Sequence, residues 1–523
     1  MNFDIFKEWG KKIPQRTWIC FITSVVLGWL THFYMLSNKL TNWDDVNSLH
    51  SHGAGSGIGR WFLEIVHPLG SRYSTPAIHG VIMIFFLALS ACLVLEILQL
   101  KSTTAAILIG ALMVTFPSVA CVMTFMFTAH AYGLAIFMIC LAIYLLRKYK
   151  WGMIPCSILL IGSLGIYQSY ISIAIALMLM GMMIDILDGK DCKRELKTGI
   201  VYACILVVSV VIYMKICYVF NPNMANETYA GVGNMGQIEL TEVPRLIGRC
   251  YKRFLEYFIW KPFAYMSTLM QVLNILTCVA AVIVAVLLVL KKCLYKKPFE
   301  LALLGVVSFL MPLAVAFVYF MAPDAPFSVL MIYAYVMIYI LVIALWEKLM
   351  QEWSSQQTAG YTKYFLQMST LAIVGVISLS CYDNYLLTNT AYMRMQISYE
   401  RVSSYFNRIL ANVEATPGYQ QGDLVSIVGE FHYLDNPSPV DFASLYPTDS
   451  LRELSGVALE NGLTNSGVRD NFIRNFLGFQ VADLSVEEKN EIREMEEFKA
   501  MPNYPEEGSI AQIDGIWVVK LCE

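Results

Sequence analysis

Charge is what this sequence has least of. Only 15% of its 523 residues are Asp, Glu, Lys or Arg, against the quarter usual in soluble domains. That shortage excludes a disordered chain, which combines high charge with little apolar content, and a string of cytosolic domains. A basic excess is missing as well: the formal net charge is −3, which leaves no electrostatic footprint for nucleic acid. None of the thirteen cysteines are spaced C-x-x-C, and eight of them (Cys20, Cys92, Cys121, Cys140, Cys156, Cys204, Cys217 and Cys278) sit in apolar runs. A thiol there behaves as a small hydrophobe, so neither a disulfide nor a cysteine metal site is expected. There is no internal repeat of the kind that marks inverted transporter halves. No small-residue cleavage site follows the first apolar run, which argues against a removable signal.

What is present is apolar. Hydrophobic residues make up 57% and the mean hydropathy is +0.56, the composition of an all-α polytopic membrane protein. A span needs roughly 20 apolar residues to cross ~30 Å of hydrocarbon. Such runs lie near 17–37, 76–100, 105–125, 127–146, 198–220, 266–290, 299–320, 328–346 and 364–386. One more, 152–187, is too long for a single crossing and has basic flanks on both sides: Arg147, Lys148 and Lys150, then Lys190, Lys193 and Arg194. Two short spans meeting near Tyr167-Gln168-Ser169 reconcile those flanks, giving about eleven. The segments that this order places inside carry 18 Lys/Arg, and the outer loops before residue 387 carry eight. The positive-inside bias therefore puts the amino terminus in the cytoplasm and the carboxyl terminus outside. Within spans, Lys215, Glu96 and Asp185 lie near the ends, where such side chains snorkel.

Two units follow: a membrane domain, 1–386, with long outer loops at 38–75 and 221–265, and an outer domain, 387–523. The second holds 10 Lys/Arg and 21 Asp/Glu. It reads as small and α+β: a helix over 390–413 continuing the last span, a helix opened by the capping box Ser485-x-x-Glu488, and a hairpin over 510–521 turning at Asp514-Gly515.

Chemistry concentrates in the first outer loop. It combines Trp43-Asp44-Asp45, Arg60, Glu64, Arg72, Tyr73, three histidines (His50, His52, His67) and four glycines between Gly53 and Gly59. One carboxylate beside a span end suits a general base, and its neighbour suits an orienting group or a ligand for a divalent metal. His50-x-His52 lacks the i,i+4 spacing of a helical metal pair, so loop histidines making hydrogen bonds are expected. His79 and His130 lie near the outer ends of their spans. In the loop 221–265, Arg245, Arg249 and Lys252 share one face of an amphipathic helix beside an apolar face of Leu246, Cys250, Phe254 and Tyr257. Headgroup attraction explains that face; a clamp on a lipid-linked phosphate is the sharper reading.

Asn42-Trp43-Asp44-Asp45, Gly59-Arg60-Trp61, Arg72-Tyr73-Ser74-Thr75-Pro76 and Gly165-Ile166-Tyr167-Gln168-Ser169-Tyr170 together resemble motifs of the bacterial O-antigen glucosyltransferase (Gtr) family, in the GT-C class of membrane glycosyltransferases. A weaker likeness covers Asn389 through Arg408 and the carboxyl-terminal end. The resemblance implies a GT-C-like fold in a bacterial inner membrane. It implies transfer of a sugar, glucose by the family's name, from a polyprenyl-phosphate carrier to a glycan acceptor on the extracytoplasmic face, with inversion. Asp44 and Asp45 match the acidic first-loop motif that such enzymes use for catalysis, with either as base. Arg60, Arg72, Tyr73, Tyr167 and Gln168 match motif positions and join Arg245, Arg249 and Lys252 as donor-binding candidates. No cofactor is implied with certainty; Mg or Mn stays open. A polysaccharide polymerase or ligase, or a transporter of lipid-linked glycans, is the competing reading.

Overall fold

The computed structural model describes residues 10, 12–224, 233–236, 238–354, 360–429, 449–451, 453–454 and 465–521. Lys7 and Lys11 of the amino-terminal basic flank lie outside the described residues. Ten helices among those described are long and apolar enough to cross a membrane. An eleventh apolar helix, Met153–Leu164, has only 12 residues. At 1.5 Å per residue it reaches about 18 Å, roughly half the hydrocarbon. The run 152–187 thus divides as its flanks require. The division is a half-length helix, a break at Gly165–Tyr167, and a helix that turns back through Gln168–Tyr170 into Ile171–Leu187.

The helices sort by burial. Thr103–Thr124, Gln168–Leu187 and Tyr333–Trp353 are almost wholly enclosed, whereas Cys192–Phe220 and Thr268–Lys291 keep most of their apolar surface outward. Val207, Val208, Val282 and Ile283 are among the large apolar side chains left exposed, an arrangement that only lipid would cover without cost. The run expected at 105–125 is not one helix. Phe116 is extended and Pro117 restarts the chain as Pro117–Thr124, because the residue before proline is pushed out of the helical region.

Short connections give the bundle two distinct ends. At one end the basic flanks meet carboxylates of other helices: Arg16 with Glu96 at 2.9 Å, Arg147 with Asp185 at 3.0 Å, Lys348 with Asp188 at 2.8 Å, and Lys292 with Glu352 at 2.5 Å. Glu96 and Asp185 are therefore held in ion pairs, a correction to the snorkelling expected of them. The loop 38–75 occupies the other end.

The last helix, Gly360–Ala415, runs unbroken for 56 residues, so the expected boundary near 387 falls inside one rod. Its second half carries Val402, Phe406, Ile409 and Val413 into a second apolar core with Val468, Phe472, Trp517 and Val519. A three-stranded sheet backs that core. The strands are β1 (Val425–Val428), β2 (Ile510–Ile513) and β3 (Ile516–Lys520), in the order β1-β3-β2, with β1 parallel and β2 antiparallel to β3. The β2–β3 turn is Asp514-Gly515, both at positive φ (48° and 80°), the conformation that matches the strands' twist. Ser485 and Glu488 form the reciprocal capping box. The hydrogen bonds that Glu488 accepts at Ser485 hold its carboxyl below the usual range.

Candidate active site

The acidic motif is a five-residue helix, Trp43–Asn47, started by Asn42, whose Oδ1 accepts the Asp45 N–H at 2.8 Å. Asp45 points inward and is fully buried. The Lys39 ammonium and the Ser74 hydroxyl both donate to its carboxylate, which ties the two ends of the loop together. Burying a carboxylate is costly unless it is paired and hydrogen-bonded, and here both conditions hold. Val46 turns the other way into the second apolar core, with Trp43 beside it, and the Asn471 amide donates to Asn47 Oδ1 at 3.0 Å. The helix is thus gripped from both sides. Asp44, between these anchors, is half-buried, and its carboxylate takes no hydrogen bond among the described residues. Desolvation raises its pKa above the ordinary carboxylate range, the Arg60 guanidinium pulls it down, and the Asp45 charge adds to the rise.

Arg60 is delivered by a turn with little freedom. Glu64 accepts the Ser56 N–H at 2.5 Å, and a Cβ on Gly55 would sit 2.3 Å from the Glu64 carboxylate. Gly59 lies at φ +78°, where side chains are disfavoured, and a Cβ there would meet the Tyr213 hydroxyl at 2.6 Å. Tyr213 donates to the Gly59 carbonyl at 3.1 Å, Gln168 to the Ile58 carbonyl at 2.9 Å, and Asn221 to the Gly57 carbonyl at 2.8 Å. The next helix, Trp61–Val66, aims its amino terminus at the end of the half-length span: the N–H groups of Phe62 and Leu63 donate to the Gly165 carbonyl at 2.8 and 3.2 Å. The short span thus ends where the loop descends to meet it. Irregular backbone at such depth is stable only when satisfied by protein.

Three of the sequence candidates converge here. The Arg60 guanidinium lies 5.0 Å from the centre of the Tyr167 ring, a cation–π contact, and Tyr167 stacks on Tyr132 at 4.6 Å. Arg60, Tyr167, Gln168 and Ser169 line a narrow cavity of about 40 Å³, closed by Met321 and Met331. Arg72 and Tyr73 are elsewhere. Both are exposed, Tyr73 packs against His50 at 4.4 Å, and neither lines the cavity.

The amphipathic helix exists as Val243–Leu255, and its apolar face buries Leu246 and Cys250. Arg245 and Lys252 are exposed, paired with Glu242 at 3.6 Å and Glu256 at 3.8 Å. Arg249 is half-exposed and has no acidic partner within 4 Å among the described residues. The inward-facing cation is Arg253, paired with Glu256 at 2.8 Å and 4.7 Å from the Phe327 ring centre. The sequence contained the signal. At about 100° per residue, position 253 sits roughly 80° round from 245, on the border of the apolar face.

The histidines form a cluster: ring centres are 4.3 Å apart for His79–His130 and 5.8 Å for His67–His130 and His52–His67. His79 uses both nitrogens, on the Met126 carbonyl at 2.8 Å and the Ser71 N–H at 2.9 Å; His130 bonds the His67 carbonyl at 3.0 Å. Burial and the neighbouring rings of His52 and His79 lower the His67 pKa. The acidic pair does not fit a divalent cation. Lys39 and Ser74 occupy Asp45, and among the described residues no three His, Cys, Asp or Glu side chains converge as a ligand set.

A family model described as Glucosyl transferase GtrII matches residues 33–346, well over half the chain, from the end of the first span through the loops 38–75 and 221–265. The comparisons with curated proteins and with solved structures return no match.

Proposed function

The chain belongs to the glucosyl transferase GtrII family, and we propose that it transfers a sugar from a polyprenyl-phosphate carrier, with inversion, using Asp44 as general base. A multi-pass membrane glycosyltransferase with a sugar donor and a glycan acceptor follows from the family; the carrier, the stereochemistry and the base are our reading. The observation that carries it is the division of labour in the acidic pair. Asp45 is saturated and can only position. Asp44 takes no hydrogen bond among the described residues, has a raised pKa, and lies within the electrostatic reach of Arg60.

In the reaction, Asp44 takes the proton of the acceptor hydroxyl as its oxygen attacks the anomeric carbon. The bond from that carbon to the phosphate oxygen breaks, and the carrier leaves as a monoester phosphate with one more negative charge. Arg60, fixed on Tyr167, stabilises that charge as it develops. A lipid-anchored phosphate approaches from the membrane surface, which suits the position of Arg60 on a loop at the end of the spans. We place this end outside the cytoplasm, since the opposite end gathers the basic flanks.

The test is transfer by the purified protein from a panel of polyprenyl-phosphate sugars to surface-glycan fragments. The reading expects product and free polyprenyl phosphate in equal amounts. Transfer from a sugar nucleotide with no lipid present would contradict it.

A further inference from the structure

A second, larger cavity lies across a shared wall from the Arg60 cavity. The irregular segment 322–331 lines both: Ala322, Ala325 and Met331 face the first, Phe327 and Ser328 the second. The second has a volume of about 220 Å³ and is walled by Phe125, Phe263 and Phe327. These rings are held in place. Phe263 and Phe327 are 4.9 Å apart, Phe263 stacks on Tyr265 at 5.5 Å, and Tyr319 meets Phe327 edge-on at 5.4 Å. At the solvent-accessible edge of this aromatic cavity stands one carboxylate, Glu453, an exposed residue that comes from the outer region of the chain.

Glu453 is not there by accident of an open loop. Leu451 and Leu454, on either side of it, are 5% and 0% exposed and belong to the core of the membrane domain, not to that of the outer domain. The Ala264 N–H donates to Glu453 Oε2 at 3.0 Å, leaving Oε1 without a hydrogen bond among the described residues. Desolvation raises the Glu453 pKa, and the Ala264 N–H offsets part of that rise. An acyl chain would make no use of this carboxylate. A sugar ring presents what the chamber lacks: C–H faces for rigid aromatic walls and hydroxyls that donate to a carboxylate in charge-assisted bonds.

We propose that this cavity is a subsite for one sugar residue of the acceptor glycan, with Glu453 as the carboxylate that recognises its hydroxyls. The inference rests on the transferase reading above and adds the acceptor side to it. It also gives the outer region a task in the reaction: Glu453, anchored by its neighbours Leu451 and Leu454, completes the acceptor site, while the membrane domain supplies the aromatic walls.

The test is Glu453→Gln, which is nearly isosteric and keeps an acceptor for the Ala264 N–H. With tri- to pentasaccharide fragments of bacterial surface polysaccharides as acceptors, KM for the acceptor should rise about tenfold or more, while KM for the donor and kcat stay within twofold. A charged hydrogen bond supports that size of effect. Phe125→Leu, which trims the opposite wall, should raise the same constant. Unchanged acceptor KM in both variants, at wild-type melting temperature, overturns the subsite even if transfer proceeds normally. Binding of the same labelled fragments without donor separates this from the larger reading. Wild-type binding that Glu453→Gln weakens upholds the subsite even where no lipid-linked sugar is transferred. Wild-type binding of none of the fragments overturns it.

Discussion

The loop 38–75 and the helix Val243–Leu255 both stand out in the sequence as polar segments at the ends of spans, and they turn out to be opposites. In the loop, a set of polar groups fixes the backbone and the acidic pair: Asn42 caps, Lys39 and Ser74 hold Asp45, Glu64 holds the Ser56 N–H, and Gln168 and Tyr213 hold the backbone before Arg60. On the helix, the cations that share a face point to solvent, and their ion pairs are the exposed, one-turn kind that contribute little. The lesson is that density of charge does not mark a site. What we take as the mark is a carboxylate with no hydrogen bond among the described residues beside one that is firmly held, as Asp44 is beside Asp45.

The comparison is sharpest where the network is cut. The largest loss of stability is expected for Asp45→Asn, which leaves the Lys39 ammonium without its counter-ion in a partly buried place. Breaking such a pair costs about 3 kcal/mol, and thermal melting of the purified protein reads it. Transfer should fall with it, because the helix carrying Asp44 loses its inner anchor. A melting temperature equal to wild type would show that the loop does not depend on this contact.

Arg60→Gln comes next. It removes a charge that stabilises the leaving phosphate as it develops, so kcat/KM for the lipid donor should fall by about tenfold or more, the worth of one charged hydrogen bond. The smallest effect belongs to the helix. Arg249→Ala and Lys252→Ala should each shift stability by less than about 0.5 kcal/mol and leave the donor saturation curve within about twofold of wild type. A tenfold change from either would reverse the ranking of the two regions and restore the helix as the phosphate clamp.

Much of the frame was legible because lipid imposes simple rules. Apolar runs of span length, basic flanks on both sides of 152–187 and the Asp514-Gly515 turn each have one physical reading, and the helices and hairpin follow it. Proline at 117 splits its span for an equally local reason, although hydropathy alone runs straight across it. The site was legible only in part. Asp44, Arg60, Tyr167 and Gln168 stand in short motifs, but nothing local tells Asp44 from Asp45. Their difference depends on Lys39 and on Ser74, 29 residues away. Contacts between distant segments, such as Val46 in the second core or Glu453 beside Ala264, leave no periodic trace. Arg253 sits at the edge of the face that Arg245, Arg249 and Lys252 share, where helical spacing alone does not tell an inward cation from an outward one.

The claim on which the rest depends is that Asp44 takes the proton, and a pH–rate profile of Asp44→Asn beside wild type tests it most directly. A base works only when ionised, so wild-type transfer should be full at neutral pH and decline as pH falls through the Asp44 pKa, which lies above the ordinary carboxylate range. The same shift fixes the sign for stability. A carboxyl with a raised folded pKa binds its proton more tightly when folded, so the ionised form weakens the fold near neutrality. Asp44→Asn should therefore melt no lower than wild type at pH 7. Its transfer rate should drop by about 10²–10⁴-fold, and the acidic limb should vanish. An Asp44→Asn protein of normal abundance that transfers at near wild-type rate, with the acidic limb intact, would remove Asp44 as the base.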